Sequence, residues 1–168
     1  MWQPMPAEGV AQENHYAVIS TDSLLIALRP MPYTGNAQSV NSNFFTLYLQ
    51  VRNLSKTTLR LPRQSFGIVA SGRQFDPIPL EYVIGSVQTN YKLTDFEDPF
   101  SPDPQSDSTV QKYREDYFEL LNSHFSFGDL LPGGSKEGFL FYSVAAGSQP
   151  AFEVDVWGRM IGFGRGGH

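Results

Sequence analysis

Apolar and polar residues alternate most regularly in NFFTLYLQVRN, Asn43 to Asn53, where Phe45, Leu47, Leu49 and Val51 interleave with Thr46, Tyr48, Gln50 and Arg52. A period of two sets one group on each face of a strand, and the aliphatic face points to a core. A one-residue slip would bury Gln50 and Arg52, so the register is strongly specified. Upstream, HYAVIS and SLLIALR are short, rich in strand formers and broken at Thr21-Asp22, which predicts two strands. The loop PMPYTGNAQSVNSN follows them. Downstream, TTLRLP is a short strand, and SFGIVAS and RQFDPIP form a hairpin about Ser71-Gly72. Pro77 and Pro79 cannot donate ladder hydrogen bonds, so that second arm is short or lies at an edge.

The pattern changes from Leu80 to Asn122. LEYVIGSVQTNY fits a strand or a helix, and TDFEDPFSPDPQSDS is an acidic, proline-rich loop. In STVQKYREDYFELLN, Val110, Tyr113, Tyr117, Leu120 and Leu121 recur at helical spacing, with Ser108 and Gln111 in the relation of a capping box. Pro132-Gly133-Gly134 then turns the chain into a strand from Lys136 to Val144. There Phe139 and Phe141 share one face and Leu140 and Tyr142 the other, so both faces are expected to be covered. AFEVDVWG alternates again, with Phe152, Val154 and Val156 opposite Glu153, Asp155 and Trp157, as a closing strand.

Seven or eight short strands and one helix predict a mainly β protein, an immunoglobulin-like antiparallel β-sandwich with one helix-bearing insertion. The expected organisation is a flexible arm over 1–14, one domain over 15–163 with the insertion at about 80–122, and a flexible tail over 164–168. Phe45, Leu47, Leu49, Val51, Phe66, Ile68, Phe139, Phe141, Val154 and Val156 are the expected core.

A resemblance supports this fold. LYLQVRNLSKTTLRLPRQSFGIVASGRQF, LLPGGSKEGFLFYSV and FEVDVWG together resemble bacterial secreted and lipoprotein domains with an immunoglobulin-like sandwich, a group of uncharacterised function. In that group a strand ending in Val-x-Asn precedes a Phe-x-Leu/Ile-Val run and a Gly turn. Later a Leu-x-Pro-Gly turn leads into a Gly-x-Leu/Val-x-Phe strand. The shared residues are strand and turn chemistry, so the resemblance implies fold more than function. The segment from Leu80 to Asn122 departs from the pattern.

Composition narrows the partners. The 168 residues hold 12 Lys and Arg against 17 Asp and Glu, a formal charge of -5, which argues against affinity built on neutralising phosphates, so no nucleic acid is expected. Cys is absent, which removes disulfides, thiolate metal sites and a Cys nucleophile together. No run approaches the roughly 18 apolar residues a membrane span needs. The polar opening MWQPMPAEGVAQENH has neither the charged nor the apolar region of a secretory signal. It reads like the tether that follows a cleaved one, so the expected location is extracytoplasmic, in the periplasm or cell envelope, with a lipid anchor upstream.

Catalytic chemistry finds little support. His15, His124 and His168 have no ligand spacing, and His124 reads as a helix-end residue favoured by the helix dipole. Asp95, Glu97, Asp98, Asp103 and Asp107 gather carboxylates, but without the Asp-x-Asp-x-Asp-Gly arrangement and closing Glu of a calcium loop. Ser123, His124 and Asp129 lack a nucleophile elbow. GFGRGGH has no following helix to offer phosphates, and Asn53-Leu54-Ser55 is a glycosylation sequon by pattern alone. No cofactor and no metal are expected.

What remains is recognition. Tyr48, Trp157 and Phe44 oppose the aliphatic stripes and would anchor a partner if exposed together, or be covered by the inserted helix. Asp95, Glu97, Asp98 and Asp103 would give the insertion an acidic binding surface. The expected function is a non-catalytic binding module, the soluble part of a bacterial lipoprotein, whose partner is a protein or other envelope component. The alternative is a metal-dependent or hydrolytic enzyme with its site over 95–124.

Overall fold

The strand read most easily from the sequence is the centre of the fold. The computed structural model describes residues 1–90 and 104–166. In chain order its strands and helices are β1 (Trp2–Pro4), β2 (Ala11–Glu13), β3 (Tyr16–Ser20), β4 (Leu24–Pro30), α1 (Val40–Asn43) and β5 (Phe44–Asn53). Then come β6 (Leu59–Leu61), β7 (Ile68–Ala70), β8 (Arg73–Phe75), α2 (Leu80–Asn90) and α3 (Pro104–Ser123). The last are β9 (Gly128–Leu130), β10 (Ser135–Ser143), β11 (Ala151–Val156) and β12 (Arg159–Arg165). The protein is mainly β, and every strand pair is antiparallel.

One five-stranded sheet runs β1-β12-β11-β7-β8 and a second runs β10-β5-β4-β3-β2, with β6 and β9 as a separate pair. Ile26, Leu28, Leu47, Leu49 and Val51 of the second sheet share one buried cluster with Ile68, Phe152, Val154, Val156, Ile161 and Phe163 of the first. Two antiparallel sheets closed on one core are consistent with the expected β-sandwich. Tyr142 is fully buried in this cluster, and its hydroxyl donates to the Phe66 carbonyl at 2.6 Å. A buried phenol needs such a partner.

β10 is covered on both faces, as its pattern predicts. Leu140 and Tyr142 enter the inter-sheet core, whereas Phe139 and Phe141 join a second cluster with Tyr33, Val40, Val83, Val87 and Leu120. Phe44 and Tyr48 of β5 pack against that second cluster. Val83 and Val87 come from α2 and Leu120 from α3, so the insertion is part of the packing of the domain. The ambiguous LEYVIGSVQTN segment is helical because Val83 and Val87, one turn apart, meet an apolar sheet face. α3 begins at Pro104, so Ser108 is an interior helical position and not the expected cap. Among its described residues the insertion therefore shows two helices where one was expected.

The chain ends also differ from expectation. The segment 1–14 carries β1 and β2, and β1 pairs with β12 while Trp2 sits 4.8 Å from the Phe152 ring. Tertiary pairing replaces the missing periodicity there. Arg165 pairs with Trp2, so β12 extends into the segment expected as a tail.

Sheet edges are managed explicitly. β1, β2 and β8 are three residues each, and β10 is capped by the chain entering and leaving the insertion. Ile78 N donates to Phe141 O at 2.7 Å, and Phe125 N donates to Phe139 O at 2.8 Å.

Candidate functional site

Among the described residues, the helices cover only part of the outer face of the second sheet. Register places Tyr16, Arg29, Tyr48 and Phe139 in one row across β3, β4, β5 and β10, and Val18, Ala27, Gln50 and Glu137 in the next. Leu25, Arg52 and Ser135 form a third. Phe139 lies under the helices, whereas Tyr16, Val18, Leu25, Ala27, Arg29 and Tyr48 are half-buried and Gln50 and Arg52 are exposed. A cleft of about 280 Å³ is lined by Leu25, Ala27, Gln50, Arg52, Ser135 and Glu137 among others. These residues fall here because the inner stripe of each strand is fixed by the core, which leaves the alternate residues no other face.

The polar groups of this surface are already ordered. The Tyr48 hydroxyl donates to Glu137 Oε2 at 2.8 Å, and Gln50 Nε2 donates to the same oxygen at 3.3 Å. The Arg29 guanidinium lies 5.3 Å from the Tyr16 ring centre, a cation-π contact. Among the described residues, the Arg52 side chain makes no hydrogen bond or ion pair. The surface thus offers aromatic rings, donors and an acceptor on a rigid sheet.

Burial, and then the neighbouring Glu137 carboxylate, push the Tyr48 phenol up to about 12. Burial also raises Tyr33, Tyr113 and Tyr142. An unfolded tyrosine ionises near 10, so the folded state holds these protons more tightly. The stabilisation is complete below about pH 10 and is lost as pH rises through the folded values. The urea midpoint is therefore expected to fall between pH 10 and 12, and Tyr48→Phe to reduce that fall. A midpoint that stays level to pH 12 would contradict the burial of these phenols.

The other expected site residues are dispersed. Asp95, Glu97, Asp98 and Asp103 lie outside the described residues, as does His168. Phe44 and Tyr48 are half-buried against the second cluster, while Trp157 lies in the turn after β11 against Phe66, so the three aromatics form no common patch. β11 ends at Val156, and Trp157 is a turn residue with φ 52°, followed by Gly158 with φ 82°. Two positive φ values make the hairpin turn that favours Asn-Gly, an unfavourable site for a bulky ring. Trp157 is 40% exposed and packs edge-on against Phe66 at 5.5 Å. The left-handed conformation costs roughly 1 to 2 kcal/mol and the ring contact contributes roughly 0.5 to 1.5. Trp157→Asn is therefore expected to change stability by less than about 1 kcal/mol in chemical denaturation.

A second cleft, of about 300 Å³, lies where the insertion joins the body, with Glu81, His124 and Ser126 on walls that include Leu80, Phe125 and Phe141. His124 Nδ1 lies 2.8 Å from the Leu121 carbonyl oxygen, which fixes the ring at the end of α3. That contact satisfies the helix-end role expected of His124. Among the described residues, no group of three or more His, Asp or Glu is placed to hold a metal ion. None of the described helices is long and apolar enough to cross a membrane.

Tyr16, Arg29 and Glu137 were not singled out in the sequence. Their signal was the alternation in HYAVIS, SLLIALR and SKEGFLF, which places them opposite the core stripe. Comparison with known proteins adds no further constraint: no protein-family model, no curated protein and no solved structure matches the chain.

Proposed function

We propose that the chain is a non-catalytic binding module, an immunoglobulin-like sandwich acting outside the cytoplasm as the soluble part of a bacterial lipoprotein. It holds an envelope component on the open part of its second sheet. The observation that carries this reading is the half-buried row of Tyr16, Arg29 and Tyr48 beside exposed Gln50, Glu137 and Arg52, which the described helices leave partly open on a face they otherwise cover. Ordered polar groups among half-buried apolar ones give orientation and contact area together, which is the composition of recognition sites. The resemblance to secreted and lipoprotein domains supports the location.

Co-sedimentation of the purified chain with isolated bacterial envelopes tests this. The wild type is expected to pellet with the envelopes, and the Gln50→Ala/Arg52→Ala double variant to stay in the supernatant with an unchanged thermal transition. Equal pelleting of the two proteins would remove this surface from the binding.

A further inference from the structure

We propose that a cleft at one end of the sandwich binds a small carboxylate with an apolar body, a site apart from the open sheet face. The cleft, of about 230 Å³, is lined by Trp2, Met31, Phe44, Phe45 and Arg165 among others. Strand alternation explains its charge. Ile161 and Phe163 of β12 are fully buried in the core, and Arg165 is the next residue of the same stripe. The stripe thus ends in a cation where the core runs out, opposite Trp2 of β1.

The walls select the class of ligand. Their hydroxyl and amide side chains are already engaged: Thr46 donates to the Met31 carbonyl, and Asn41 accepts from Tyr33 N at 2.7 Å while donating to Tyr33 O at 2.9 Å and to Gln38 Oε1 at 3.1 Å. What is left is the Arg165 guanidinium and the Trp2 indole, which donate and cannot accept. No Asp or Glu lines the cleft, so its one formal charge is positive. A ligand that meets these walls brings an acceptor with negative charge on an otherwise apolar body.

The cation is also held in place. The Arg165 guanidinium lies 5.0 Å from the Trp2 ring centre, and its Nη2 donates to Gly147 O at 3.0 Å. Trp2 and Gly147 are themselves wall residues, so the charge sits at the wall and little rotamer freedom is lost on binding. The Gly147 bond spends one N–H of the fork, and the others remain for the two oxygens of a carboxylate. The volume is below that of clefts enclosing drug-sized molecules, so one ring or a short alkyl chain fills it.

Titration followed by the two indole N–H resonances in NMR tests the proposal, because Trp2 lines the cleft and Trp157, in the turn at the other end of β12, is an internal control. Benzoate and hexanoate are expected to shift the Trp2 signal saturably and to leave Trp157 in place. Benzyl alcohol and hexanol, with the same bodies and no charge, are expected to bind at least tenfold more weakly, as is sulfate, with charge and no apolar body. Arg165→Gln, which keeps a donor for Gly147 O, is expected to weaken benzoate at least tenfold. No saturable Trp2 shift with either acid, equal binding of acid and alcohol, equal binding of sulfate, or undiminished benzoate binding by Arg165→Gln would overturn the proposal. The comparison of acid with alcohol uses the wild type alone, so it decides the matter even where Arg165→Gln lowers the thermal transition.

Discussion

Gly138→Ala is expected to destabilise the protein by about 3 kcal/mol, at the upper end of overpacking costs, with a matching drop in the urea midpoint. A Cβ at this position would lie 2.5 Å from the His124 carbonyl carbon and 2.6 Å from Phe125 N. Both are backbone atoms, so no rotamer change relieves the clash. The segment cannot retreat cheaply either, because Phe125 N is bonded to Phe139 O on the same strand. Gly138 is therefore the point at which the chain leaving α3 crosses β10, a close approach that a strand glycine permits. Gly72→Ala is the contrasting case: nothing lies within 4 Å of the added carbon, and only a φ of +76° opposes it. That change should cost about 1 kcal/mol. Equal effects of the two substitutions would mean that the crossing is not tightly packed.

Leu49→Ala is expected to cost about 2 to 5 kcal/mol, through lost burial and the cavity left behind. Leu49 has no exposed surface and stands in register between Leu28 of β4 and Gly138 of β10. With no side chain on Gly138, that neighbour has nothing to swing into the space, which favours the upper part of the range. A loss below about 1 kcal/mol in urea denaturation would place Leu49 at the surface.

The sequence showed which residues share a strand face, but not what covers that face. The alternation in β5 assigned Leu47, Leu49 and Val51 to the core and put Tyr48, Gln50 and Arg52 opposite. The two-sided pattern of β10 correctly required a cover over Phe139 and Phe141. Where that cover stops depends on α2, whose Val83 and Val87 suit either a strand or a helix until a partner surface exists. The open surface was for that reason invisible in any single segment. β2 was missed because all three of its residues are exposed and leave no apolar period. Trp157 was placed on a strand face because the alternation in AFEVDVW continues one residue past the point where the backbone turns. The acidic loop drew attention by its composition, while the residues that line the open face lay among ordinary strand positions.

The most direct test of the open surface is site-specific cross-linking with a benzophenone side chain placed in turn at Gln50, Glu81 and Glu153. Gln50 lies on the open face, Glu81 at the cleft beside the insertion, and Glu153 on an exposed position of the other sheet. Irradiation with isolated envelopes is expected to give a covalent adduct from position 50 and none from position 153. Adducts from position 81 or 153, with none from position 50, would contradict the assignment of recognition to this face.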